Sequence, residues 1–110
     1  MKYAVVILQS AEHDLQDLRR YLLKQFGRTA WLESYAVIKA AIDNLQVFPF
    51  SGSVPEALEK INLAQYRQVI AGKNRIIYEL RQTTIYVHIV ADSRRDMQTL
   101  LTQRLLRVGE

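Results

Sequence analysis

The side chains best able to do chemistry in this sequence are guanidinium groups and one imidazole. Arg67 and Arg75 lie in the middle of the chain, Arg94, Arg95 and Arg104 near its end, and His88 between the two groups. A guanidinium binds oxyanions through a planar fork of donors. An imidazole moves protons near neutral pH. The set suits recognition of phosphate or carboxylate, with His88 available as acid or base. Glu79 can instead simply pair with Arg75 or Lys73. The chain has no cysteine, which removes disulfides, thiol nucleophiles and thiolate metal sites. His13 and His88 are far apart and no acidic cluster joins them, so neither a metal nor a cofactor is expected.

Charge agrees with an anionic partner. Fifteen Lys and Arg stand against eleven Asp and Glu, a formal +4 over 110 residues. Such an excess favours nucleic acid or an acidic protein segment; an ordinary basic surface is the commoner meaning of charge alone, and composition does not choose between them. Hydrophobic residues make up 49% of the chain, enough for one modest core, and residues 1–110 are read as one domain. The opening MKYAVVILQS carries one Lys and an apolar run too short for a membrane helix. It lacks a small-residue cleavage pattern. A cytoplasmic protein without membrane contact is expected.

The elements that must position these groups follow from the apolar period. Tyr3–Leu8 is apolar and rich in β-branched residues and suits a buried strand. Ser10 is placed to cap a first helix, whose apolar face is Ala11, Leu15, Leu18, Leu22 and Phe26, with Gly27 as its stop. Thr29 is placed to cap a second, with a stripe of Trp31, Tyr35, Ile38, Ile42 and Leu45, ended by Pro49. So short a connection implies an antiparallel helix pair resting on the strands. PFSGSVPEALEKINLA reads as a crossing loop with room for one helical turn.

Gln65–Ala71, Arg75–Leu80 and Thr84–Ala91 read as an antiparallel meander with turns at Gly72-Lys73-Asn74 and Gln82-Thr83. Setting Ile70 opposite Arg75, and Leu80 opposite Ile85, places Val69, Ile76, Tyr78, Leu80, Ile85, Val87 and Ile89 on one apolar face, toward the helix pair. The other face collects Tyr66, Gln68, Arg75, Ile77, Glu79, Tyr86 and His88, and puts His88 diagonal to Arg75. Ser93 is expected to cap a last helix with Asp96 as its capping-box partner. Its stripe is Met97, Leu100, Leu101, Leu105 and Val108, with Arg94, Arg95, Arg104 and Arg107 making it basic. Cations in a first turn oppose the helix dipole, which favours a functional reason for Arg94 and Arg95. The expected fold is α+β, β-α-α-β-β-β-α: a small, mostly antiparallel sheet with a helical hairpin on one face and a C-terminal helix.

This order, together with local words, resembles the RelE/ParE toxins of bacterial toxin–antitoxin pairs. The words are Ala11-Glu12-His13-Asp14-Leu15; Pro49, Gly52 and Pro55-Glu56; Tyr66-Arg67; Arg75-Ile76-Ile77-Tyr78-Glu79; Asp92-Ser93-Arg94-Arg95-Asp96; then Leu100-Leu101 and Arg104-Leu105-Leu106. The resemblance implies a toxin held inactive, in a hetero-oligomer, by a cognate antitoxin whose C-terminal segment wraps it, with Trp31 and Tyr35 as candidate antitoxin anchors. It implies one of two activities. RelE-like members cut messenger RNA on the ribosome; ParE-like members poison DNA gyrase.

Ribonuclease chemistry needs groups to activate a 2′-hydroxyl, protonate a leaving oxygen and hold the phosphate. Arg67, Arg75 and His88 are the candidates. After Asp96, however, the chain contains no Tyr, His or Lys, where a RelE-like enzyme often places its proton-transfer residue. The resemblance therefore leans to the ParE-like branch: a non-catalytic gyrase inhibitor with Arg75, Arg94, Arg95 and Arg104 as target-binding residues. A ribosome-dependent messenger endoribonuclease is the alternative.

Overall fold

The first strand does not pair with its neighbour in chain order. In a computed structural model, which describes residues 2–104, β1 (Ala4–Ile7) lies parallel to β4 (Thr84–Asp92), the last strand. Between them in sequence come α1 (Gln9–Gln25), α2 (Arg28–Val47), the short α3 (Glu56–Lys60), β2 (Tyr66–Ala71) and β3 (Asn74–Arg81). After β4 comes α4 (Met97–Arg104). The sheet order is β1-β4-β3-β2, three strands antiparallel and one parallel. The α+β architecture and its helical hairpin are as the sequence implied. Leu105, Arg107 and Val108 lie outside the described residues, as does the Leu101 side chain.

Both turn registers follow the sequence reading: Ile70 faces Arg75 and Leu80 faces Ile85. Gly72, at φ 64, supplies the left-handed backbone that the first turn requires. α1 and α2 cover one face, where Ala11, Ile38, Ile42 and Leu45 pack on Ile76, Tyr78, Ile85 and Val87. The second face is covered in part by α4, whose Leu100 is fully buried with Ile77, Ile89 and Ala91.

Ile89 is a correction to the expected faces. Ile77 pairs with Ile89 but Tyr78 pairs with Val87, so His88 is an extra residue, a β-bulge. The bulge turns Ile89 to the α4 side and brings Val90 to the helix-pair side in its place. It also breaks the expected diagonal between His88 and Arg75, which instead pairs with Ala91.

The bulge frees backbone groups, and residues distant in sequence bind them. Ser10 Oγ donates to the His88 carbonyl at 3.0 Å. The Val90 N–H donates to Asp14 Oδ2 at 2.9 Å. Ser10 is therefore not the cap of α1; the helix begins at Gln9 after Leu8, without a side-chain cap. Thr29 likewise is not a cap: α2 begins at Arg28 directly after Gly27, whose φ of 98 ends the connection. At α4 the cap is Asp96, which accepts the Thr99 N–H at 2.9 Å. Ser93 sits earlier, in a turn, so Arg94 and Arg95 precede the helix and are not part of its first turn. Phe26, expected on the buried face of α1, is 68% exposed at its end.

Candidate functional site

Beside the apolar patch under α4, the second face of the sheet carries a polar cluster. Glu79 on β3 is 8% exposed. Its Oε1 accepts from Arg81 Nη2 at 2.8 Å and lies 2.9 Å from His88 Nε2. Against an ionised carboxylate, Nε2 must carry the proton. Tyr66 meets the imidazole edge-on at 5.1 Å, and the Arg81 guanidinium stands 4.9 Å over the Tyr86 ring. Burial alone would raise the Glu79 carboxyl pKa, but the hydrogen bonds from Arg81 and His88 outweigh it and hold the group below the usual carboxylate value. Burial, then the Glu79 charge, pushes the Tyr66 hydroxyl up. The partners of Glu79 are thus Arg81 and His88, not Arg75 or Lys73.

Arg75 lies on the same face but serves a different place. Its Nη2 donates to the Ser93 carbonyl at 2.9 Å, while the Ser93 N–H donates to the Lys73 carbonyl at 2.9 Å. The turn after β4 is thereby fastened to the β2–β3 turn. That turn displays Arg94 and Arg95, both exposed. Arg94 forks onto Asp92, with Nε to Oδ1 at 3.0 Å and Nη2 to Oδ2 at 2.8 Å. These bonds, with the Arg94 N–H, hold the Asp92 carboxyl down at about 2.

Arg67 is not beside Arg75. It sits on the opposite face, where Nη1 donates to the Gly52 carbonyl at 2.7 Å and the guanidinium covers the Phe50 ring at 5.2 Å. Tyr78 completes this clamp on the crossing loop: its hydroxyl donates to the Pro49 carbonyl at 2.8 Å and accepts the Gly52 N–H at 3.1 Å. Arg104 is likewise held inside the fold, by both carboxylate oxygens of Asp14. Among the described residues, no group of three His, Cys, Asp or Glu is placed to hold a metal.

A second feature lies at the other side of the sheet. β1 is an edge strand. Ala4 and Leu8 donate to β4, so the Val5 and Ile7 backbone groups point outward. Beside them runs a groove lined by Leu15, Tyr35, Ile38 and Ile42. Tyr35 is 42% exposed and packs at 5.3 Å against Trp31.

Residues 5–97 match the profile of a family described as the ParE toxin of type II toxin–antitoxin system, parDE. The chain belongs to the ParE toxin family. Its fold is similar to a solved chain of the chromosomal ParDE toxin–antitoxin system from P. aeruginosa, with a TM-score of 0.68 and 13% identity over 83% of this chain and 96% of that one. It is also similar to a chain of the RelBE2 toxin–antitoxin complex from Mycobacterium tuberculosis, with a TM-score of 0.59 and 23% identity over 84% of this chain and 99% of that one. At these identities the likeness is one of fold. A search of curated proteins finds no match. No helix among the described residues is long and apolar enough to cross a membrane.

This ParE-family toxin therefore divides its candidate residues among several jobs. Arg94 and Arg95 are displayed, Arg75 supports their turn, and Arg67 and Arg104 tie the fold together. Sequence reasoning missed Arg81 and Asp14. Arg81 had a local signal, since it sits two residues after Glu79 on the same strand face. Asp14 had none, because its partners Val90 and Arg104 are distant in sequence.

Proposed function

We propose that this ParE-family toxin inhibits DNA gyrase in the cytoplasm, blocks replication and growth, and is neutralised by a cognate antitoxin in a hetero-oligomer. The observation that carries the reading is the family match over residues 5–97. The scatter of the candidate ribonuclease groups supports it. Arg67 and Arg75 face opposite sides of the sheet, and His88 is bound to Glu79 away from Arg75. Arg94 and Arg95 are the target-binding groups, with Arg75 positioning their turn. Arg104 contributes by fixing α4. The antitoxin adds an extended segment along the outer edge of β1 and lowers apolar side chains into the groove beside Tyr35 and Trp31.

One observation favours the ribonuclease alternative: the buried Glu79 orients the His88 imidazole beside Tyr66. Induction without antitoxin, with DNA and protein synthesis labelled separately, distinguishes the two. Early loss of DNA synthesis with translation continuing is the expected result. Early loss of protein synthesis, with codon-phased cuts in ribosome-bound message, would establish the alternative.

A further inference from the structure

The tip of the α1–α2 hairpin carries a run of positive charge that no acid within it balances. Residues 19–32 hold four cations, Arg19, Arg20, Lys24 and Arg28, and no Asp or Glu. All four are exposed. Arg20 has one exposed partner, Asp17 at 3.4 Å; among the described residues Arg19, Lys24 and Arg28 form no salt bridge. Tyr21 and Phe26, 56% and 68% exposed, meet edge to face at 6.2 Å among these charges.

The fold's own electrostatics settle only part of this charge: Lys24 lies in the last turn of α1, where a cation is favourable, but Arg28 has no such support. α2 starts at the tip with Arg28, has no acidic residue in its first turn and has no side-chain cap. A cation at the positive end of a twenty-residue helix is unfavourable. Four like charges within one hairpin end also repel one another. An anion bound at the tip relieves both.

We propose that the hairpin tip binds the phosphate backbone of duplex DNA, with Arg19, Lys24 and Arg28 on phosphates and Tyr21 and Phe26 against the sugar edge. Charge complementarity selects this occupant. Protein interface cores take Arg and aromatics but are depleted in Lys and in charge generally, whereas four cations unbalanced by any acid within residues 19–32 suit a DNA-binding surface, which is strongly positive and polar. The choice of DNA over RNA rests on the gyrase reading, since gyrase holds duplex DNA. Tyr21 of the tip lies close enough to Arg94 to act on its charge, so the tip adjoins the turn that displays Arg94 and Arg95, and DNA held at the tip lies beside a protein target held by that turn.

The test is binding of a fluorescent DNA duplex of arbitrary sequence to the purified toxin across a salt series. Two double variants of equal net charge are compared with wild type: Lys24→Gln with Arg28→Gln at the tip, and Lys2→Gln with Lys60→Gln elsewhere on the exposed surface. The tip variant is expected to bind about tenfold more weakly at about 50 mM salt, with a salt slope smaller by about two, one for each lost phosphate contact. The control variant is expected to stay close to wild type. The proposal is overturned if wild type shows no salt-dependent binding, if both variants weaken equally, or if an RNA duplex of the same length binds more tightly. It is also overturned if the tip variant loses only binding to DNA-free gyrase, which would assign the tip to an acidic protein surface. Gyrase inhibition is measured on the same preparations. A toxin that inhibits gyrase but binds no duplex refutes the tip alone; one that binds duplex but leaves gyrase active refutes the gyrase reading alone.

Discussion

The Arg104 guanidinium grips both carboxylate oxygens of Asp14, at 3.0 and 2.9 Å, across ninety residues of chain. The same carboxylate accepts the Val90 N–H, and Arg104 also reaches the Ser10 carbonyl at 3.3 Å. One acid on α1 thus joins the β4 bulge to α4. Side-chain exposure is only 22% for Arg104 and 16% for Asp14, so water screens the pair little. Asp14→Ala is expected to lower unfolding stability in urea by about 1.5–3 kcal/mol, the loss typical of charged hydrogen bonds. Asp14→Asn keeps an acceptor for Val90 and should lose less. Equal stability of Asp14→Ala and wild type would remove the latch.

A second prediction concerns the clamp on the crossing loop. A Cβ at Gly52 would meet Tyr78 Oη at 2.5 Å and the Gln68 carbonyl oxygen at 2.7 Å. Gly52→Ala should therefore destabilise by about 1–3 kcal/mol through overpacking. Tyr78→Phe leaves the Gly52 N–H without its partner and should lose about 1–3 kcal/mol. It also removes one of the clashing atoms. The double variant should fall short of the sum of the two losses, as measured by urea midpoints; strict additivity would show that the two residues do not share a contact.

Acid should weaken the fold through carboxylates held below their ordinary values. A group whose folded pKa is depressed contributes stability that is full above its unfolded pKa and is lost as pH falls through the folded one. For Asp92 that window runs from 3.8 to about 2. Glu79, held below 4.5, adds to the same acid limb. Asp92 is the more exposed, so solvent weakens its share and Glu79 should dominate. Urea midpoints measured from pH 5 downward should fall in wild type and fall less steeply in Glu79→Gln. An unchanged acid limb in that variant would disconnect Glu79 from acid stability.

Much of this was legible in the sequence because it is local. Gly72-Lys73 and Gln82-Thr83 fix two hairpin registers, and the registers place Tyr78 in the core and Arg75 and Glu79 on the other face. What escaped depends on distant partners. At the bulge, Ser10 binds the His88 carbonyl and Asp14 the Val90 N–H, and neither residue announces that bond in its own neighbourhood. The bulge in turn moves Ile89 under α4 and Val90 toward the helix pair. The caps escaped for a smaller reason: Ser10, Thr29 and Ser93 each had a competing start one to four residues away, and backbone geometry decided. For the candidate site, residue types were visible, but the division between displayed Arg94 and Arg95 and internally held Arg67 and Arg104 required the fold.

The most direct test of the gyrase reading is a supercoiling assay with purified gyrase, relaxed plasmid and the toxin freed of any antitoxin. Supercoiling should stop, or gyrase–DNA breaks should accumulate, as toxin is added. Arg94→Ala with Arg95→Ala should raise the required concentration about tenfold or more, as expected for interface anchors, without loss of fold. Gyrase that stays fully active at a large excess of folded toxin would contradict the reading.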